Sequence, residues 1–197
     1  MRKLITICFC FIFVVLFSSC NFIEDRNKNK TLSEKDFNEV FINNEYSLAL
    51  PKYLRKANNL NDEASLQYQN LAREAYVIVI DESKEDIIAS FKEAEIYNDS
   101  LSPLENYSKY QNEYFNDALN KKTYDSGLTD KTINNWPAKV MTVEGEYYEV
   151  DFEIAYWIAY IETDEKMYNV MCWTLASKRS DFEETYRKVI NSFKTIK

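Results

Sequence analysis

The feature that most restricts how this chain folds is the alternation that opens the run Tyr147–Ile161. Tyr148, Val150, Phe152 and Ile154 are interleaved with Glu149, Asp151 and Glu153. A two-residue period puts one set on each face of a strand, so the apolar set is expected to point inward and the acids outward. The polar triplet Thr163-Asp164-Glu165 then reads as a turn, and Met167–Ala176 as the returning strand. Ala138–Val143 reads as the strand before, with Glu144-Gly145 as the expected reversal. Neighbouring strands joined by such short turns pair antiparallel, which makes the three an expected meander.

The apolar face of that meander needs a cover, and the last stretch of chain offers one. Ser180-Asp181-Phe182-Glu183 reads as a capping box opening a helix. Phe182, Tyr186, Val189, Ile190, Phe193 and Ile196 then recur along one helical face. Upstream, Tyr46, Leu48 and Leu50 alternate before Pro51, and Leu66 and Tyr68 alternate within 64–71. Ala75–Ile80 is continuously apolar and β-branched, as in a strand covered on both faces. A helix is expected from Ser83, with Asp86 in its first turn and Ile87, Ile88 and Phe91 as its stripe. A second is expected from Ser102-Pro103-Leu104-Glu105, where a capping serine, proline and acid stand in the favoured order. Leu104, Tyr107, Tyr114, Phe115 and Ala118 would form its inner face, followed by a loop containing Gly127.

The N-terminus has a different character. Met1-Arg2-Lys3 precedes an apolar run, Leu4–Phe17, broken only by Thr6. That run is shorter than the roughly 20 residues that cross a bilayer as a helix, and it suits a secretory signal peptide. Leu16-Phe17-Ser18-Ser19-Cys20 resembles the bacterial lipobox, with Phe17 departing from the usual leucine. The resemblance implies cleavage before Cys20, a diacylated Cys20 thiol and firm attachment to a membrane through several acyl chains such as palmitate. An ordinary thiol behind a conventional leader is the alternative. Residues 21–33 are polar and aperiodic, as a tether would be. The expected organisation is a signal peptide over 1–19, the lipidated cysteine and tether over 20–40, and a single domain over 41–197.

The element order itself carries a second resemblance. The short strand Tyr46–Pro51, a pair of strands, a helical excursion, the meander ending in Tyr168-Asn-Val-Met-Cys-Trp-Thr-Leu175, and a closing helix with Ile190-Asn-Ser-Phe193 together resemble the PsbP-like fold. That superfamily includes a photosystem extrinsic subunit, a nuclear-transport factor and DcrB-type bacterial lipoproteins. The resemblance implies an α+β domain, an antiparallel β-sheet flanked by helices in an α/β/α sandwich. It also implies a non-catalytic accessory or binding role, and it transfers no site residue. Asp99-Ser100-Leu101 matches a short O-glycosylation sequon of Bacteroidetes periplasmic proteins, which makes Ser100 a candidate modification site and the chain similar to lipoproteins of that group.

Composition narrows the chemistry. The whole chain carries net charge −8, and losing Arg2 and Lys3 with the leader lowers it by two, to −10. Such acidity is wrong for nucleic acid, whose phosphates call for a basic surface. Histidine is absent, so imidazole-based triads and His-bearing zinc sites are excluded. Cys172 would be the one thiol left in the mature domain and is expected to be a buried, inert strand residue. Gly127 and Gly145 stand alone, so no phosphate-cradling loop forms. Glu149, Asp151 and Glu153, or Glu162, Asp164 and Glu165, are the acids available to a carboxylate-dependent hydrolase; a solvated sheet face and a polar turn explain them better. Asp125-Ser-Gly-Leu-Thr-Asp130 lacks the ligand density of a calcium loop. The aromatic series Tyr147, Tyr148, Tyr156, Trp157 and Tyr160 is either core or a ligand and partner surface. No catalytic, cofactor or metal residue is assigned. The expected role is a non-catalytic module of the cell envelope, held by Cys20 to the inner or outer membrane and acting on an envelope protein or small molecule. The alternatives are a carboxylate hydrolase and a purely structural component.

Overall fold

The computed structural model describes residues 32–147 and 152–196. In chain order the elements are β1 (Phe37–Ile42), β2 (Tyr46–Pro51), β3 (Arg55–Lys56), β4 (Leu66–Asn70), β5 (Ala75–Ser83), α1 (Lys84–Glu93), α2 (Pro103–Asp117), β6 (Leu119–Asp125), β7 (Thr129–Ile133), β8 (Trp136–Tyr147), β9 (Glu153–Glu162), β10 (Lys166–Leu175), α3 (Arg179–Asn191) and β11 (Lys194–Thr195). Eight strands form one sheet in the order β3-β4-β5-β10-β9-β8-β6, with β7 also paired to β8. A second sheet runs β1-β2-β11. Pairing is antiparallel throughout these strands. The α+β class expected from the sequence is the class observed.

Alternation along β9 divides the core in two. Ala155, Trp157, Ala159 and Ile161 face the small sheet and α3, together with Tyr46, Tyr186 and Phe193. Tyr156, Ile158 and Tyr160 face α1 and α2, together with Phe91, Leu104, Tyr107 and Phe115. The layers are therefore two helices, the large sheet, and a lid of small sheet plus α3. Phe193 pins that lid, its ring centred 5.7 Å from Tyr46 and 4.8 Å from Tyr168. Lys166 adds a charged tie, with Nζ 2.6 Å from Glu45 and 2.7 Å from Asp81.

The meander β8-β9-β10 forms as expected, but its first reversal lies elsewhere. β8 runs through Glu144 and Gly145 to Tyr147, and Glu146 pairs with Glu153. Gly145 is a strand residue because β6 presses on it. A Cβ there would lie 2.5 Å from the Lys121 carbonyl oxygen and 3.3 Å from Leu119 Cδ1, beside irregular pairing between β6 and β8. The run Tyr147–Ile161 is thus two strands: Phe152, expected inward, is 51% exposed at the bend. Tyr148, Glu149, Val150 and Asp151 lie outside the described residues.

The helices show one cap read correctly and one misread. Ser102 accepts from Glu105 N while Glu105 accepts from Ser102 N, the reciprocal pair expected of a capping box. Ser83 likewise caps α1 through Asp86 N. α3 instead begins at Arg179, led in by the 3-10 turn Ala176–Lys178, so Ser180 lies inside the helix and no side chain caps it. Its apolar face is nevertheless as expected, with Phe182, Tyr186, Val189 and Ile190 buried. Tyr114 points out of α2, 71% exposed, and not inward. β1 reaches back across residue 41, so Phe37–Val40 are part of the sheet rather than of a tether.

Candidate functional site

β6 and β7 lie end to end along the free side of β8. Asp125 pairs with Val143 and Thr129 with Val140, and the intervening Ser126–Leu128 segment bulges away. Ser126 fastens the bulge by accepting from Thr142 N at 2.9 Å and donating its own N–H to the Thr142 carbonyl at 2.9 Å. Asp125 turns the chain by accepting from Gly127 N at 2.8 Å, and Gly127 takes the left-handed φ of +69° that the bend requires. α3 does not reach this edge. A groove of about 160 Å³ remains between them, walled by Tyr124, Ser126, Thr129 and Lys131 on one side and Arg179, Arg187 and Ile190 on the other. Val140, Thr142, Trp157 and Ile158 contribute to its lining.

The charges along α3 follow helical spacing. Arg179, Glu183 and Arg187 stand four residues apart and so share one face. Glu183 is the hub: Arg187 Nε lies at 2.5 Å, Arg179 Nε at 3.7 Å, and the Trp157 indole N–H donates to it at 3.0 Å. Arg179 also pairs with Glu144 and stacks over the Tyr124 ring, 4.1 Å from its centroid. Lys131 is different. No carboxylate among the described residues pairs with it, and its ammonium is held below the ordinary lysine range, first by lost hydration and then by the Arg187 charge.

The aromatic candidates separate cleanly. Tyr156, Trp157 and Tyr160 are 6%, 2% and 1% exposed, so they are core and not the open surface that was the alternative. Tyr156 meets Phe115 edge-on at 4.9 Å, and Tyr160 meets Tyr107 at 5.9 Å. Trp157 alone reaches the groove, from beneath. The side chain of Tyr147 lies outside the described residues, as does Cys20. Ser100 is exposed and donates to Asn98 Oδ1 at 2.6 Å in the turn before α2.

The acids are largely occupied. Glu162 is held by Lys84 at 2.5 Å and by Leu104 N at 3.2 Å, while Asp164 and Glu165 are exposed on the turn. They border an open, acid-lined depression with Ser83, Lys84, Glu85 and Ile88. Asp130 pairs with Lys139 at 2.7 Å. Cys172 is fully buried, and burial pushes its thiol well above the ordinary range, so it is inert. No helix of the described residues is long and apolar enough to cross a membrane.

The groove is hidden in the sequence because Leu119–Ile133 is polar and shows no strand alternation around the expected loop at Gly127. The four-residue spacing of Arg179, Glu183 and Arg187 was the available signal. No family model matches the chain, and no curated protein matches it in sequence. Among solved structures, it is similar to the Saccharomyces cerevisiae Ran-binding protein Mog1p, at TM-score 0.52 and 11% identity over 81% of this chain and 95% of that one. That likeness shows a shared fold. Weaker likenesses are to cyanobacterial PsbP (CyanoP) from Synechocystis sp. PCC 6803, at TM-score 0.49, 9% identity and 85% and 96% coverage, and to LpqN, involved in cell envelope biogenesis of Mycobacterium tuberculosis, at 0.46, 9%, and 77% and 83%.

Proposed function

We propose that the chain is a lipid-anchored, non-catalytic binding module of the cell envelope whose ligand or partner meets the groove beside α3. The observation that carries this reading is the unmatched Lys131 facing that groove in a chain of net charge −8. A half-buried cation with no carboxylate partner among the described residues is available to an anionic group of a ligand. The lipobox resemblance at Cys20 supports the anchor. The yeast protein of like fold is itself named for binding a partner, which supports an accessory role over a hydrolytic one. Ser100, exposed on the opposite helical layer, is the proposed glycosylation site.

A photo-crosslinking residue at Thr129, on the groove rim, tests the reading in full-length chain expressed in its native envelope. It should yield a discrete adduct that the same residue at the exposed Tyr114 of α2 does not. Equal adducts from both positions, or none from Thr129, would remove a protein partner from the groove. Cys20→Ala should move the chain from the membrane fraction to the soluble one. An unacylated N-terminal peptide in the wild-type mass spectrum would remove the anchor from the proposal.

A further inference from the structure

The groove has a size, a charge and a floor, and together these specify a ligand class. Its volume of about 160 Å³ is well below the roughly 300 Å³ at which drug-sized pockets begin, so it holds a small molecule. Lys131, Arg179 and Arg187 supply three positive charges, and Glu144 and Glu183 offset two of them. One positive charge is left over, which matches one negative charge on the ligand. Thr142 also lines the groove and offers it a hydroxyl. Val140, Ile190 and the Trp157 ring supply an apolar lining.

The geometry points to a site for a short-chain monocarboxylate, with the carboxylate taken by Lys131, Arg187 and the Thr142 hydroxyl and the apolar tail laid against Trp157 and Ile190. The inference rests on the α3 groove being the binding face, and it names what that face takes. A monocarboxylate suits the site better than phosphate on two counts. Its single charge equals the surplus, whereas inorganic phosphate carries between one and two at neutral pH, and the apolar lining gives a tail something to cover. Binding is expected to be weak for so small an acid, because the contact area is small.

The test is a titration of ¹⁵N-labelled full-length chain in detergent micelles, read at the Trp157 indole N–H. Sodium butyrate should shift that resonance saturably while those of Trp136 and Trp173 stay still, and butyramide, uncharged and of the same shape, should not. Lys131→Met should weaken butyrate about tenfold, the ordinary loss for a charge-assisted contact. Thr142→Val, which keeps the volume, should weaken it by a smaller factor. Unmoved Trp136 and Trp173 resonances in both variants show that they are folded. No saturable shift with butyrate, an equal response to butyramide, or tighter binding of inorganic phosphate would each overturn the assignment. A Thr129 crosslink to an envelope protein with no butyrate response would sink this inference and leave the binding module standing. Butyrate binding without any crosslink would do the reverse for a protein partner.

Discussion

The two faces of the large sheet are closed in different ways. On the α1/α2 face most polar groups are consumed by the fold, with the buried Asn169 Oδ1 left without a partner among the described residues. Tyr107 donates to Glu82 at 2.6 Å, Glu162 is held by Lys84 and Leu104 N, and Asn106 donates to the Asn98 carbonyl at 3.0 Å. On the α3 face the core is also aromatic, but its rim opens beside β7, where Lys131 has no carboxylate partner among the described residues and Thr142 lines the groove. The charged α3 residues are interlocked through Glu183, so the opening is held in place and is not a fraying edge. The difference separates groups that stabilise from groups kept in reserve: a finished face serves the fold, and an unfinished one costs stability that only a ligand returns.

The sharpest way to break that contrast is to damage the α3 side where it is structural. Phe193→Ala removes the ring between Tyr46 and Tyr168 and should cost about 3–5 kcal/mol in urea unfolding; a loss under about 1 kcal/mol would mean that the small sheet is not anchored there. Next, Tyr107→Phe should cost about 1.5–3 kcal/mol, the range for a hydrogen bond to a charged group. Smaller still, Ser102→Ala should cost about 1 kcal/mol by opening the α2 capping box, while Ser180→Ala inside α3 should cost close to nothing. Equal losses from the two serines would restore the cap that the sequence suggested for α3.

The pH dependence of stability gives the finest discrimination. Burial raises Tyr53 and Tyr168 to about 12, above the unfolded value near 10. Their contribution is complete below pH 10 and is lost as pH rises from 10 towards 12, where the unfolded chain deprotonates first. Lys131 has the opposite sign. Its folded value is lowered, so the unfolded chain holds the extra proton, and stability rises with pH through the window just below the unfolded lysine value. Lys131→Met should remove that rise and leave the tyrosine-driven fall unchanged, as followed by urea midpoints across pH 8–12.

Much of this architecture was legible because it is written in periods. The α3 stripe of Phe182, Tyr186, Val189 and Ile190 survived a mistaken cap, since packing and not Ser180 fixes the helix. The continuous run Ala75–Ile80 became a central strand for the same reason. The edges were not legible. β6 buries only Leu119, so nothing in Asn120–Asp125 alternates in hydrophobicity, and β6 and β7 passed for a loop. Gly145 resembled a turn because a glycine needed for close approach looks, in sequence, like one needed for a bend. The groove inherits both difficulties. Its walls are polar edge strands, and Lys131 stands out only once its neighbours' ion pairs are known.

The central claim is that the α3 rim is kept open for binding at the expense of stability. Lys131→Met in the full-length chain tests it when the urea midpoint and the yield of the Thr129 crosslink are measured on the same variant. The account predicts an unchanged or raised midpoint together with an adduct yield reduced about tenfold. An undiminished adduct, or a midpoint that falls with it, would contradict the claim.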